Sequence, residues 1–155
     1  MPTTTMPELA SSSLSAATRP LRILYAEDMQ ALRELMSIVL TREGHFIETA
    51  GNGEEAFERL TQAEVPYDLL ITDHEMPRLN GLELVRQIRR LPCAIKIVVL
   101  SAELTQTLSQ NYRDYAVDLI LPKPIFPVTL RMMLGLLFAP DEPEDGPVRE
   151  RLVTP

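Results

Sequence analysis

The chain has 155 residues, 45% of them hydrophobic, which suits one globular domain of ordinary size plus tails and leaves no room for two. Its formal net charge of -7 argues against direct nucleic-acid binding, because phosphate contacts need a basic surface, and fits an acidic site that holds a cation. The one cysteine, Cys93, excludes an internal disulfide framework; together with the lack of a membrane-spanning apolar run or a signal peptide, this gives the expectation of a cytoplasmic protein.

Residues 1–20 are rich in Thr, Ser, Ala and Pro without a periodic apolar face and read as a disordered leader. A strand then runs through Ile23 to Ala26 and stops at the adjacent acids Glu27 and Asp28. Leu32, Leu35, Met36, Val39 and Leu40 recur at helical spacing, with Gly44 just past the expected end. Phe46 to Ala50 is a short second strand opened by His45, which reads as structural, and Gly51-Asn52-Gly53 turns the chain into a helix carrying Ala56, Phe57 and Leu60. Leu69 to Thr72 is a continuous apolar run ending in Asp73, the pattern of a buried strand that delivers a carboxylate to its end. Arg78 to Gly81 reads as a turn, and a third helix follows over about Leu82 to Arg90. Ile95 to Leu100, rich in β-branched residues, is a fourth strand ending at Ser101. Glu103 to Arg113, full of Thr, Ser, Gln and Asn, gives the faintest helical pattern. Asp118 to Leu121 is a fifth strand, Pro122-Lys123-Pro124 interrupts it, and a last helix covers about Pro127 to Phe138. Residues 139–155 read as a solvated, acidic, Pro-rich tail.

Strands alternating with helices five times imply an α/β fold, a five-stranded parallel sheet doubly wound by helices, because parallel neighbours need crossover connections. Polar residues fall at the carboxyl ends of four strands: Glu27 and Asp28, Asp73, Ser101 and Lys123. In the order 2-1-3-4-5 the first and third strands are neighbours at the switch point, so three carboxylates crowd one pocket. Like charges that close need a cation or a raised pKa, and hard oxygen donors suit Mg2+. Lys123 supplies an opposing positive charge and Ser101 a hydroxyl.

These residues, with Met76-Pro77, Gly81, Leu100-Ser101-Ala102 and Pro122-Lys123-Pro124, resemble the receiver domain of two-component response regulators over about residues 21–138. The resemblance implies the flavodoxin-like receiver fold and a phosphoryl switch. Asp73 is then the phosphoacceptor from a phosphohistidine of a sensor histidine kinase or histidine phosphotransfer protein. Mg2+ is held by Asp28, Asp73 and the backbone carbonyl of Glu75, with Glu27 acting through water. Ser101 and Lys123 contact the phosphoryl group, and the Lys123-Pro124 bond is expected to be cis. The chain would act on no external substrate, catalysing only its own phosphorylation and dephosphorylation.

Where receivers often carry a switch aromatic, three residues before the lysine, this chain has Ile120, so a coupling from Ser101 to an aromatic would fall to Tyr112 or Tyr115. His74 reads as an exposed neighbour of Asp73. Glu75 and Glu103 occupy positions that in the family influence phosphoryl lifetime. The last helix is apolar nearly all round, which points to a docking face made by the fourth and fifth helices and the fifth strand, for a second copy or another protein. With no output motif after Phe138, the expectation is a single-domain regulator or phosphorelay intermediate that signals to a downstream protein. Two rivals are an aspartyl-phosphate hydrolase of the haloacid dehalogenase type and a phosphorylation-independent pseudo-receiver. The first is disfavoured because Asp73 follows the third strand and has Glu75, not Asp, two residues on; the second because Glu27, Asp28, Asp73 and Lys123 are all present.

Overall fold

A computed structural model describes residues 19–140; the leader and tail expected from the sequence lie, but for Arg19, Pro20, Ala139 and Pro140, outside the described residues. Five strands and five helices alternate: β1 (Arg22–Ala26), α1 (Gln30–Arg42), β2 (Phe46–Ala50), α2 (Gly53–Gln62), β3 (Leu69–Asp73), α3 (Gly81–Arg89), β4 (Lys96–Ser101), α4 (Gln106–Arg113), β5 (Leu119–Pro122) and α5 (Pro127–Leu137). The strands pair in parallel in the order β2-β1-β3-β4-β5, as the sequence predicts.

Alternation along each strand divides the core in two. Leu24, Ala26, Leu70, Ile97 and Val99 face one layer, packed with Val85, Ile88 and Tyr112 from α3 and α4. Ile23, Tyr25, Leu69, Ile71, Val98 and Leu100 face the other, packed with Met36 and Leu40 of α1 and Leu130, Met133 and Leu134 of α5. All five residues of β3 are buried, which explains its unbroken apolar run. The edge strands β2 and β5 are partly exposed.

Helix starts follow local side-chain chemistry. Asn52, Asn80 and Thr105 each accept a hydrogen bond from a backbone amide three residues on, capping α2, α3 and α4. Gly44, with φ of 91°, ends α1 in the left-handed region that glycine occupies without a Cβ penalty. The fourth helix begins three residues later than the sequence pattern suggests. The Ser101 hydroxyl donates to the Glu103 carbonyl and accepts from its amide, holding that segment as a turn until Thr105 provides a cap.

On α5, Val128, Met132 and Leu136 stand exposed while Leu130, Met133 and Leu134 are buried. The all-round apolar pattern thus splits into a core stripe and a solvent-facing one. No helix among the described residues is long and apolar enough to cross a membrane.

Candidate functional site

The carboxyl ends of β1, β3, β4 and β5 bring Glu27, Asp28, Asp73, Ser101 and Lys123 to one rim of the sheet. Glu27 is fully buried, and its Oε2 accepts from the Lys123 ammonium at 2.7 Å and the Tyr25 hydroxyl at 3.3 Å, while Oε1 accepts from the Met29 amide at 3.2 Å. Lys123 also donates to Asp73 Oδ2 at 2.8 Å. The bond between Lys123 and Pro124 is cis, as the sequence resemblance implies.

Ligand oxygens of Glu27, Asp28 and Asp73 lie within 4.8 Å of one another. Burial raises the Glu27 carboxyl pKa most; the hydrogen bond from Lys123 opposes this, and the closeness of Asp28 and the charge of Asp73 add to the rise. Burial alone would lower the Lys123 ammonium, but its hydrogen bonds to Asp73 and Glu27 outweigh that and hold it charged. Three carboxylates against one ammonium leave negative charge uncompensated. Such a set of hard oxygen donors fits a divalent cation of the Mg2+ kind.

Arg33, absent from the sequence reading, clamps this loop from α1. Its guanidinium Nη1 donates to the carbonyls of Glu27 at 2.7 Å and Asp28 at 2.9 Å. The role is hard to see in a sequence because its partners are backbone carbonyls; the only signal is a basic residue just over a helical turn past an acidic pair. Glycines let neighbouring segments come close. A Cβ on Gly53 would lie 2.2 Å from the Leu79 carbonyl oxygen, and one on Gly81 would lie 2.5 Å from that of Asp73.

Ser101 is buried, but its hydroxyl is engaged by the Glu103 backbone rather than by Glu27, Asp28 or Asp73. Glu75 is exposed, and its amide reaches Asp73 Oδ1 at a long 3.4 Å. Ile120 is partly buried against the layer containing Tyr112. His45 is structural, its Nδ1 accepting from the Leu21 amide at 3.1 Å. His74 corrects the expectation of an exposed neighbour: it is half-buried, and its Nδ1 and the Tyr112 hydroxyl are hydrogen-bonded at 2.7 Å.

A doubly wound parallel sheet with an acidic cluster and a bridging lysine at its switch point defines a class of small α/β domain whose site lies at the carboxyl ends of its strands. The model of the response regulator receiver domain matches residues 23–134, and the chain belongs to that family of two-component systems. It is 35% identical over 127 residues to the response regulator MprA of Mycolicibacterium vanbaalenii, an alignment covering 82% of this chain and 54% of that protein. It is 34% identical over 111 residues to the DNA-binding transcriptional regulator NtrC of Azospirillum brasilense, covering 72% of this chain and 22% of that one. The chain thus spans about half the length, or less, of these curated relatives. Among solved structures it resembles the chemotaxis protein CheY4 of Vibrio cholerae, at 28% identity and a TM-score of 0.71 over 76% of this chain and 98% of that one.

Proposed function

We infer that residues 21–138 form a phosphoryl-accepting receiver unit in which Asp73 is the acceptor. The observation that carries this reading is the Lys123 ammonium bridging the buried Glu27 and Asp73, with Asp28 alongside. A carboxylate oxygen of Asp73 attacks the phosphorus of a phosphohistidine; a P–O bond forms, the P–N bond breaks, and the imidazole leaves with the electron pair and takes up a proton. Phosphoryl transfer needs positioning and neutralisation of charge on the phosphoryl oxygens more than covalent help. Lys123 is placed to turn from the carboxylate to a phosphoryl oxygen, and the Ser101 hydroxyl reaches another once it leaves Glu103. Mg2+ would be held by Asp28, Asp73 and the Glu75 carbonyl, with Glu27 acting through water, and would supply further charge neutralisation. Arg33 keeps the loop bearing Glu27 and Asp28 in register.

The donor is a sensor histidine kinase or a histidine phosphotransfer protein, in the cytoplasm. Output is by protein contact through α4, β5 and α5, where Val128, Met132 and Leu136 are exposed, with a downstream protein or a second copy as partner. Sedimentation that finds a monomer in both phosphorylation states would exclude the second copy.

Intact mass after incubation with acetyl phosphate and Mg2+ tests the acceptor. One phosphoryl adduct is expected in the wild type and none in Asp73→Asn. A wild type that takes no adduct, from acetyl phosphate or from a phosphohistidine protein, would instead make this a phosphorylation-independent interaction module.

A further inference from the structure

Tyr112 is fully buried on α4, yet its hydroxyl points to the residue that follows Asp73. Among the described residues His74 is the hydroxyl's one hydrogen-bond partner, at 2.7 Å, and the two rings meet edge to face with centroids 5.6 Å apart. The His74 backbone is held on both sides: its amide donates to the Leu100 carbonyl at the end of β4, and its carbonyl accepts from the Gly81 amide at the start of α3. The missing side chain of Gly81 makes room for this arrangement, since a Cβ there would lie 2.9 Å from the Tyr112 oxygen and 3.0 Å from the His74 Cα. Tyr115, the other aromatic of this region, lies under Arg86 of α3 instead. The Ile120 side chain has no polar atom with which to follow a change at the acidic site.

We propose that the His74–Tyr112 pair is the positioning link through which a change at Asp73 reaches α4, replacing an aromatic on β5. The inference rests on the reading of Asp73 as phosphoacceptor. Asp73 Oδ1 accepts from the Glu75 amide, so the carboxylate closes a short ring around His74. Once that carboxylate carries a phosphoryl group, its oxygens no longer offer the same acceptor, and the peptide joining His74 to Glu75 re-aims. The imidazole moves with its backbone. A buried tyrosine hydroxyl with one partner then either follows it or loses its bond, and both outcomes alter the seat of α4.

Hydrogen exchange of α4, with and without beryllofluoride and Mg2+ as a stable phosphoryl mimic, tests the link in the wild type and in Tyr112→Phe. The difference between two states of one variant cancels any uniform loosening that loss of the hydroxyl causes. The wild type is expected to change α4 exchange by roughly fivefold or more, the range of ordinary site-to-site coupling, whereas Tyr112→Phe binds the mimic and changes by less than about twofold. His74→Leu should behave like Tyr112→Phe, and His74→Asn, whose amide oxygen sits near the position of Nδ1, should restore part of the response. An undiminished response in Tyr112→Phe, or a wild-type α4 that does not respond while the mimic binds, overturns the link and leaves the acceptor reading standing. A wild type that takes neither the mimic nor a phosphoryl group overturns both.

Discussion

Lys123→Ala is expected to destabilise the protein by about 3 kcal/mol without divalent ions, and to slow phosphorylation of Asp73 by about two orders of magnitude. The first figure follows from what the lysine leaves behind. Glu27 is wholly buried and Asp73 nearly so, and Lys123 is the side chain that compensates both. Removing one partner of a buried ion pair costs about 3–5 kcal/mol, because the remaining charge has neither water nor counterion. The lower end applies here, since the lysine side chain is 20% exposed and water can enter where it stood. Millimolar Mg2+ should recover a large part of the loss in stability but little of the loss in rate, because a metal beside the carboxylates does not replace the contact to the phosphoryl group proposed for Lys123. The chain has no tryptophan, so urea denaturation followed by circular dichroism, with and without Mg2+, is the suitable measurement. Equal midpoints for variant and wild type in EDTA would show that Glu27 does not depend on this lysine.

Gly81→Ala should cost about 1–3 kcal/mol, the range for forcing an extra carbon into packed surroundings. The added Cβ would meet the Asp73 carbonyl oxygen at 2.5 Å, and that atom belongs to the end of the central strand, which cannot rotate aside. Gain in helix propensity offsets little, because Gly81 is the first residue of α3 rather than an interior one. The change should also weaken phosphorylation, since the strand end that must yield carries Asp73, the proposed acceptor. Gly135→Ala serves as the contrast: a Cβ there meets nothing within 4 Å, in the interior of α5, and should stabilise by about 0.5–1 kcal/mol. Urea midpoints for the two variants should move in opposite directions; a neutral Gly81→Ala would mean that the junction of β3 and α3 is softer than its contacts indicate.

Much of this arrangement was legible in the residues. Phe46 to Ala50, and the run ending at Asp73, match the observed strands to the residue, because strand ends there coincide with a glycine turn and with an abrupt change from apolar to acidic. Alternation of strands and helices implies a parallel sheet, and the doubly wound order 2-1-3-4-5 then brings Glu27, Asp28, Asp73 and Lys123 to one rim. What escaped was interaction with the backbone. The sequence offers Ser101 as a hydroxyl for the acidic pocket, yet the nearby Glu103 carbonyl claims it and thereby delays α4. Arg33 does not stand out in the sequence because its carbonyl partners leave no trace in a pattern of side chains. Tyr112 looked like one polar-helix aromatic among two, and its inward course depends on space left by a glycine some thirty residues earlier in the chain. From sequence alone His74 is an exposed neighbour of a strand-end carboxylate, and only the position of Tyr112 decides otherwise.

The division of the core into two layers bears on how such a domain can diversify. Tyr112 lies in the layer of α2, α3 and α4, whereas the chain leaving Lys123 enters α5 in the opposite layer, and the buried central strands stand between them. Asp73 is where the two meet. Substitutions within one layer are therefore screened from the other by a wall of closely packed aliphatic side chains. A lineage of such domains can repack one layer without disturbing the other, provided that the few residues at the shared rim are kept.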